Sequence, residues 1–180
     1  MRVMAKTIHR RARRLKKAYR DQWYISNQKE RFVELFFRSL GFNIHRAGLG
    51  VSTMQLINDV GSKPDYVVRD RQGGVLFYVE VTGANRNYKP GMDIYVCYSK
   101  FTKYYSLARE TPILFVFLGF CEGKLTFAGY AWYEDLYPYS EDRKNIVVME
   151  PYGVREYYIR TPFTLWRPLH MLARELRGLA

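Results

Sequence analysis

Asp65 and Glu80 are the residues whose types and spacing could most readily do chemistry. Tyr66–Arg69 and Val75–Thr82 read as two strands joined by Asp-Arg-Gln-Gly-Gly at 70–74, and the glycines and short spacing predict a β-hairpin. If the hairpin pairs symmetrically about the Gln72–Gly73 bond, Asp65 falls directly opposite Glu80, with Cβ atoms about 4.5–5.5 Å apart. Two carboxylates at that separation repel unless a cation lies between them. Mg²⁺ suits such a pair, because it takes oxygen ligands and keeps several of its waters. The chemistry implied is metal-assisted hydrolysis. Other readings stay open: Pro64-Asp65 is also an ordinary turn dipeptide, Glu80 also fits a solvated outer face, and a one-residue slip would part the two acids.

The second strand must aim Glu80. Alternation sends Glu80 and Thr82 one way and Val79 and Val81 the other, so the valines can face a core. A third acid comes from a helix predicted from Asn27 to Leu40, whose Phe32, Val33, Phe36, Phe37 and Leu40 form one broad stripe. Glu30 lies at the stripe's margin, within reach of a helix–sheet junction; Glu34 is a turn later and more polar-facing. Glu30 also fits N3 of a capping box begun by Asn27. Gly41 is placed to end the helix as a C′ glycine.

The rest of the chain reads as a mixed α/β domain. Phe42–Arg46 is a short strand and 47–62 a loop. Asp93–Tyr98 is a strand or the lead-in to a helix capped by Ser99 and ending near Arg109. Pro112–Phe120 and Leu125–Trp132 form a second hairpin about Glu122-Gly123. Ile146–Glu150 and Arg155–Arg160 form a third about Pro151–Gly153. Thr164 opens a final helix ending near Gly178.

Composition bounds the partners. At 180 residues and 48% hydrophobic, the chain is one domain with a real core. No apolar run is long enough to span a bilayer, and no secretory signal is evident. Cys97 and Cys121 match no zinc spacing, which fits a reducing, intracellular setting. Residues 1–20 hold nine of the 29 basic side chains and no acid; the other 160 carry 20 basic and 17 acidic. A near-neutral globule thus carries a polybasic arm, residues 1–26. Its Arg10, Arg11, Arg13, Arg14, Lys16 and Lys17 suit phosphate contacts on nucleic acid; a solvated tail, a targeting signal or a membrane-surface patch is the alternative.

Helical Glu30, then Lys63-Pro64-Asp65, then Glu80-Val81-Thr82 after a hairpin, resemble in order the PD-(D/E)XK nuclease superfamily, and within it archaeal Holliday-junction resolvases and restriction-endonuclease-like proteins. The resemblance covers about residues 28–118. It implies a restriction-endonuclease-like mixed central sheet flanked by helices, over a single domain of residues 27–180. It also implies Mg²⁺ (or Mn²⁺ as substitute) held by Asp65, Glu80 and the Val81 carbonyl, with Glu30 acting through a water or second ion. Thr82 departs from the pattern, since the family has a lysine there. Some members carry that lysine on the following helix, and Lys100-Phe101-Thr102-Lys103-Tyr104 resembles their Lys…Tyr pattern. Helical projection puts Lys100 within the stripe of Phe101, Tyr104, Leu107 and Ala108, and Lys103 further toward solvent, so Lys100 is the expected activating lysine. The implied function is phosphodiester hydrolysis, DNA before RNA, by a monomer, a homodimer or a larger nucleoprotein complex without membrane. Alternatives are a nucleic-acid-binding protein on a degenerate nuclease fold, or a nuclease subunit of a mobile-element or replication complex.

Overall fold

The computed structural model describes residues 26–47, 63–85, 87–150 and 155–177. Residues 1–25 of the polybasic arm with its six named cations, the body of the loop after Arg46, and the turn at 151–154 lie outside these residues.

The described helix α1 covers 26–39. It ends as its sequence requires: Gly41 takes φ +87, and the N–H groups of Phe42 and Gly41 donate to the carbonyls of Phe37 and Arg38 at 3.1 and 3.0 Å. This pair of bonds is a Schellman cap, which favours glycine at the left-handed position. Val33 and Phe37 are fully buried, but Phe32 is 40% exposed. The buried stripe is therefore narrower than the sequence predicts, because α1 meets only one sheet face.

That sheet has six strands in the order β1-β2-β3-β5-β6-β9: β1 (Asn43–Arg46), β2 (Tyr66–Arg69), β3 (Val75–Ala84), β5 (Ile113–Cys121), β6 (Lys124–Trp132) and β9 (Arg167–Pro168). All its neighbours are antiparallel except β3 and β5. A parallel pair needs a long crossover, and residues 85–112 supply it with β4 (Ile94–Cys97), α2 (Tyr98–Lys103) and α3 (Tyr105–Ala108). β5 is apolar and buried from Ile113 to Phe117, as a strand covered on both faces must be.

One face packs Phe77, Val79 and Val116 against Val33 and Phe37 of α1 and Leu169 and Leu172 of α5 (Leu169–Glu175). The other packs Phe115 and Phe117 against Phe101 of α2, Leu136 of α4 (Tyr133–Glu141) and a small antiparallel sheet, β4-β8-β7. The architecture is thus a mixed sheet flanked by helices, as expected. The third hairpin, β7 (Ile146–Met149) and β8 (Glu156–Thr161), leaves the main sheet to pair with β4, whose Ile94 meets Thr161.

Three local expectations change. The crossover helix begins at Tyr98 after Cys97 and breaks at Tyr104, so Ser99 does not cap it. The last helix starts at Leu169 and not at Thr164, because Pro168 first closes β9. Residues 133–141, read with no helix, form α4 despite Pro138, held at its start by Asp135 accepting from the Trp132 N–H at 3.1 Å.

Candidate active site on β3

The β2–β3 ladder pairs Tyr66 with Val79, Val67 with Tyr78 and Val68 with Phe77 before a bulge near the turn. Continued one step, this register sets Asp65 opposite Glu80. No β2 residue before Tyr66 joins that ladder, so the edge of β3 beyond Val79 is open on that side. Asp65 fills part of it: Oδ2 accepts the Val81 N–H at 2.8 Å. In a strand the N–H and C=O of one residue point to the same side, so the Val81 carbonyl also faces this opening.

Glu80 is 2% exposed, not a solvated outer-face residue. Its face of β3 is roofed by the crossover, which brings in two donors. Lys100 Nζ lies 2.6 Å from Oε1, and Tyr104 Oη donates to Oε2 at 2.7 Å. Both carboxylate oxygens of Glu80 are thus engaged. Lys100 keeps a 48% exposed side chain and turns only its ammonium inward, so it sits at the rim and not in the core stripe. Lys103 is exposed.

Charge shapes the site. Burial, and then repulsion from Glu80, push the Asp65 carboxyl up to about 8, with Lys100 and the Val81 N–H opposing. The Glu80 carboxylate holds the Lys100 ammonium well above the ordinary lysine range, against the cost of burial. Burial and Glu80 push the Tyr104 hydroxyl far up, so it remains a donor.

Glu30 is placed differently. It is 4% exposed and pairs with Arg46 of β1 at 3.3 Å, while its charge still raises the Asp65 pKa. Among the described residues no three His, Cys, Asp or Glu side chains gather as a ready metal cage. Asp65 and Glu80 come together; Glu30 pairs with Arg46. Beside it, Lys29 is also buried, and desolvation lowers its ammonium to about 8.

The donor set suits a hard divalent ion in part. Asp65, Glu80 and the Val81 carbonyl offer oxygens only, the preference of Mg²⁺, and an acid raised by a neighbouring acid is one a cation would relieve. The Lys100 ammonium supplies that positive charge in this structure. Sequence reasoning gave Tyr104 no role of its own, because a tyrosine in an apolar stripe reads as core; Arg46 and Lys29 left no local signal at all.

No protein-family model and no curated protein matches this chain. Solved structures similar to it include two nucleic-acid enzymes. One is Hjc, a Holliday junction resolvase from Archaeoglobus fulgidus, at 16% identity and TM-score 0.47, over 82% of this chain and 98% of that one. The other is D212, a nuclease from a fusselovirus, at 15% identity and TM-score 0.46, over 87% and 90%. Among the described residues no helix is long and apolar enough to cross a membrane.

Proposed function

We propose that this chain is a metal-dependent nuclease that hydrolyses phosphodiester bonds in nucleic acid, with DNA as the substrate to test first. The observation that carries the reading is the meeting of Asp65 and Glu80, the latter gripped by Lys100 and Tyr104. The pair lies midway along β3, with Glu80 level with Phe115 near the start of β5, on the face covered by the crossover that carries both donors. The order of Glu30, Asp65 and Glu80 along the chain, like that of PD-(D/E)XK nucleases, agrees with it.

Asp65, Glu80 and the Val81 carbonyl would hold Mg²⁺, or Mn²⁺ in its place. When bound, such an ion lowers the pKa of water and offsets charge on the phosphate. The chain's own groups do the remaining work. Lys100, at the rim, steadies an attacking water and puts back the positive charge that Thr82 lacks. Tyr104 pins Glu80 through Oε2, and Lys100 engages Oε1. Glu30 with Arg46 sets the potential on the α1 side of Asp65. Residues 1–26 add backbone grip without choosing sequence, as Lys and Arg contacts to phosphate do. Such an enzyme would act inside the cell, alone, as a homodimer or in a larger nucleoprotein complex.

The test is cleavage of duplex, branched and single-stranded DNA in Mg²⁺ and in Mn²⁺, by the intact protein and by Asp65→Ala. Metal-dependent cutting that disappears in the variant is expected; cutting unchanged in Asp65→Ala at saturating Mg²⁺ sinks the assignment. A second reading rests on Glu80, both of whose oxygens already have protein donors, and on Thr82. By that reading the chain binds nucleic acid on a nuclease-type scaffold without cutting, or cuts only as a subunit of a mobile-element or replication complex. Binding without cleavage in either metal would favour it.

A further inference from the structure

The two sheets end in different kinds of edge. In the main sheet, β1 carries Asn43, His45 and Arg46, and β9 is only Arg167-Pro168. Charge, proline and shortness are the usual guards against pairing with another chain. In the small sheet β7 lies at one edge, and among the described residues no strand pairs with its outer side. Its sequence, Ile146-Val147-Val148-Met149, contains no charge, proline or glycine. β4, the opposite edge, has Ile94 and Val96 buried and runs straight into α2. On β7, Val148 is 43% exposed, and Tyr157 directly across on β8 is 51% exposed. An apolar cross-strand pair is thus left half in water beside Ile146 and Ile159, which pack into the core.

The strand is also complementary to itself. Facing residues of an antiparallel ladder turn their N–H and C=O groups the same way, both toward or both away from each other, and along one strand these groups alternate in direction. Two copies of β7 related by a twofold axis therefore meet with the axis through a residue, not between two. With the axis at Val147, that residue faces its own copy, Ile146 faces Val148, and Asn145 faces Met149. Lys144, in the turn Arg143–Asn145 that leads into the strand, comes level with Glu150 at both ends. Ile146 and Val148 share a face, so each exposed Val148 gains an apolar neighbour. Lys144 and Glu150 are exposed, and among the described residues neither has an ion pair within the chain. The axis moved to Ile146, Val148 or Met149 sets an apolar residue of this face against Lys144 or Glu150.

We propose that β7 is a homodimer interface, at which a second copy of this chain adds its own β7 antiparallel about an axis at Val147. The two small sheets then join as one, in the order β4-β8-β7 followed by the same strands of the copy in reverse. The interface stands independent of the nuclease reading, since no residue of the carboxylate site lies on β7 or β8.

Sedimentation velocity of the full-length protein over a concentration series, under reducing conditions and without nucleic acid or metal, tests it. The wild type is expected to pass from monomer to dimer as concentration rises, and amide exchange over 146–149 to slow in step. Val148→Lys should weaken dimerisation roughly tenfold by setting a charge in the apolar edge. Lys144→Glu and Glu150→Lys, both at exposed positions, should each weaken it several-fold through like-charge pairs, and the double variant should return to wild-type affinity. A wild type that stays monomeric at every concentration overturns the proposal. So does a dimer that is indifferent to Val148→Lys or leaves exchange over 146–149 unchanged, because the contact then lies elsewhere. Charge reversals that fail to compensate in the double variant overturn the axis at Val147. Thermal melts are run on every variant; if Val148→Lys does not fold, the charge-reversal set and the exchange measurement decide.

Discussion

At the scale of single residues, the site is a set of groups each made unusual by its neighbours. Glu80 is buried, and two donors make it tolerable there. Tyr104→Phe removes one of them and leaves a buried carboxylate oxygen unpaired. It should cost about 1–3 kcal/mol in urea unfolding and weaken Mg²⁺ binding, read by titration calorimetry. Lys100→Met strips the other donor. Because it leaves the buried Glu80 without its cation, the stability loss should be at least that of Tyr104→Phe, while single-turnover cleavage should fall by roughly 10²–10⁴. A Lys100→Met protein that cuts at the wild-type rate would leave the water-orienting role without support.

At the scale of elements, two glycines carry constraints that no other residue meets. Gly41 holds φ +87 with open space around its Cβ position, so Gly41→Ala pays only for the left-handed backbone, about 1 kcal/mol. Gly83 differs: a Cβ there would stand 2.2 Å from the Leu118 carbonyl oxygen on β5. That backbone cannot yield without breaking the parallel pair of β3 and β5, so Gly83→Ala should cost about 1–3 kcal/mol or more. Urea denaturation of the two variants checks the order, and equal losses would refute it. The crossover matters as much, since its break at Tyr104 sets the tyrosine hydroxyl over Glu80.

At the scale of the whole molecule, buried charges couple stability to pH. Asp65 is raised to about 8 from an ordinary value near 4. The folded protein therefore holds this proton where the unfolded chain has lost it, and stability from this group is present at low pH and lost as pH rises from about 4 through 8. Lys29, lowered to about 8, acts oppositely, and its penalty fades from about 8 to 10.5. In EDTA, Asp65→Asn should therefore flatten the fall in melting temperature between pH 5 and 8 and be the more stable protein at pH 8. Mg²⁺ should bind more tightly as pH rises toward 8, because the ion must displace that proton. A wild-type melting temperature that climbs over this window while Asp65→Asn shows the same climb would contradict the assignment.

Much of this was legible in the chain itself, wherever the cause was local. The hairpin register came from a short glycine turn and period-two alternation, and it set Asp65 against Glu80 because turn geometry fixes pairing within a few residues. The α1 cap followed from Gly41, and the Glu122-Gly123 turn from its left-handed pair. A family pattern together with a lysine in an apolar stripe singled out Lys100, which the structure places on Glu80 but at the rim. The tertiary structure alone decided what depends on distant chain segments. The departure of β7 and β8 into a second sheet turns on Thr161 meeting Ile94, 67 residues away. The recruitment of Tyr104 to Glu80, the pairing of Glu30 with Arg46 and the burial of Lys29 against Gly83 leave no trace in spacing. Each arises where separate segments close on one another and the loss of water leaves a charge to find whatever partner the packing supplies.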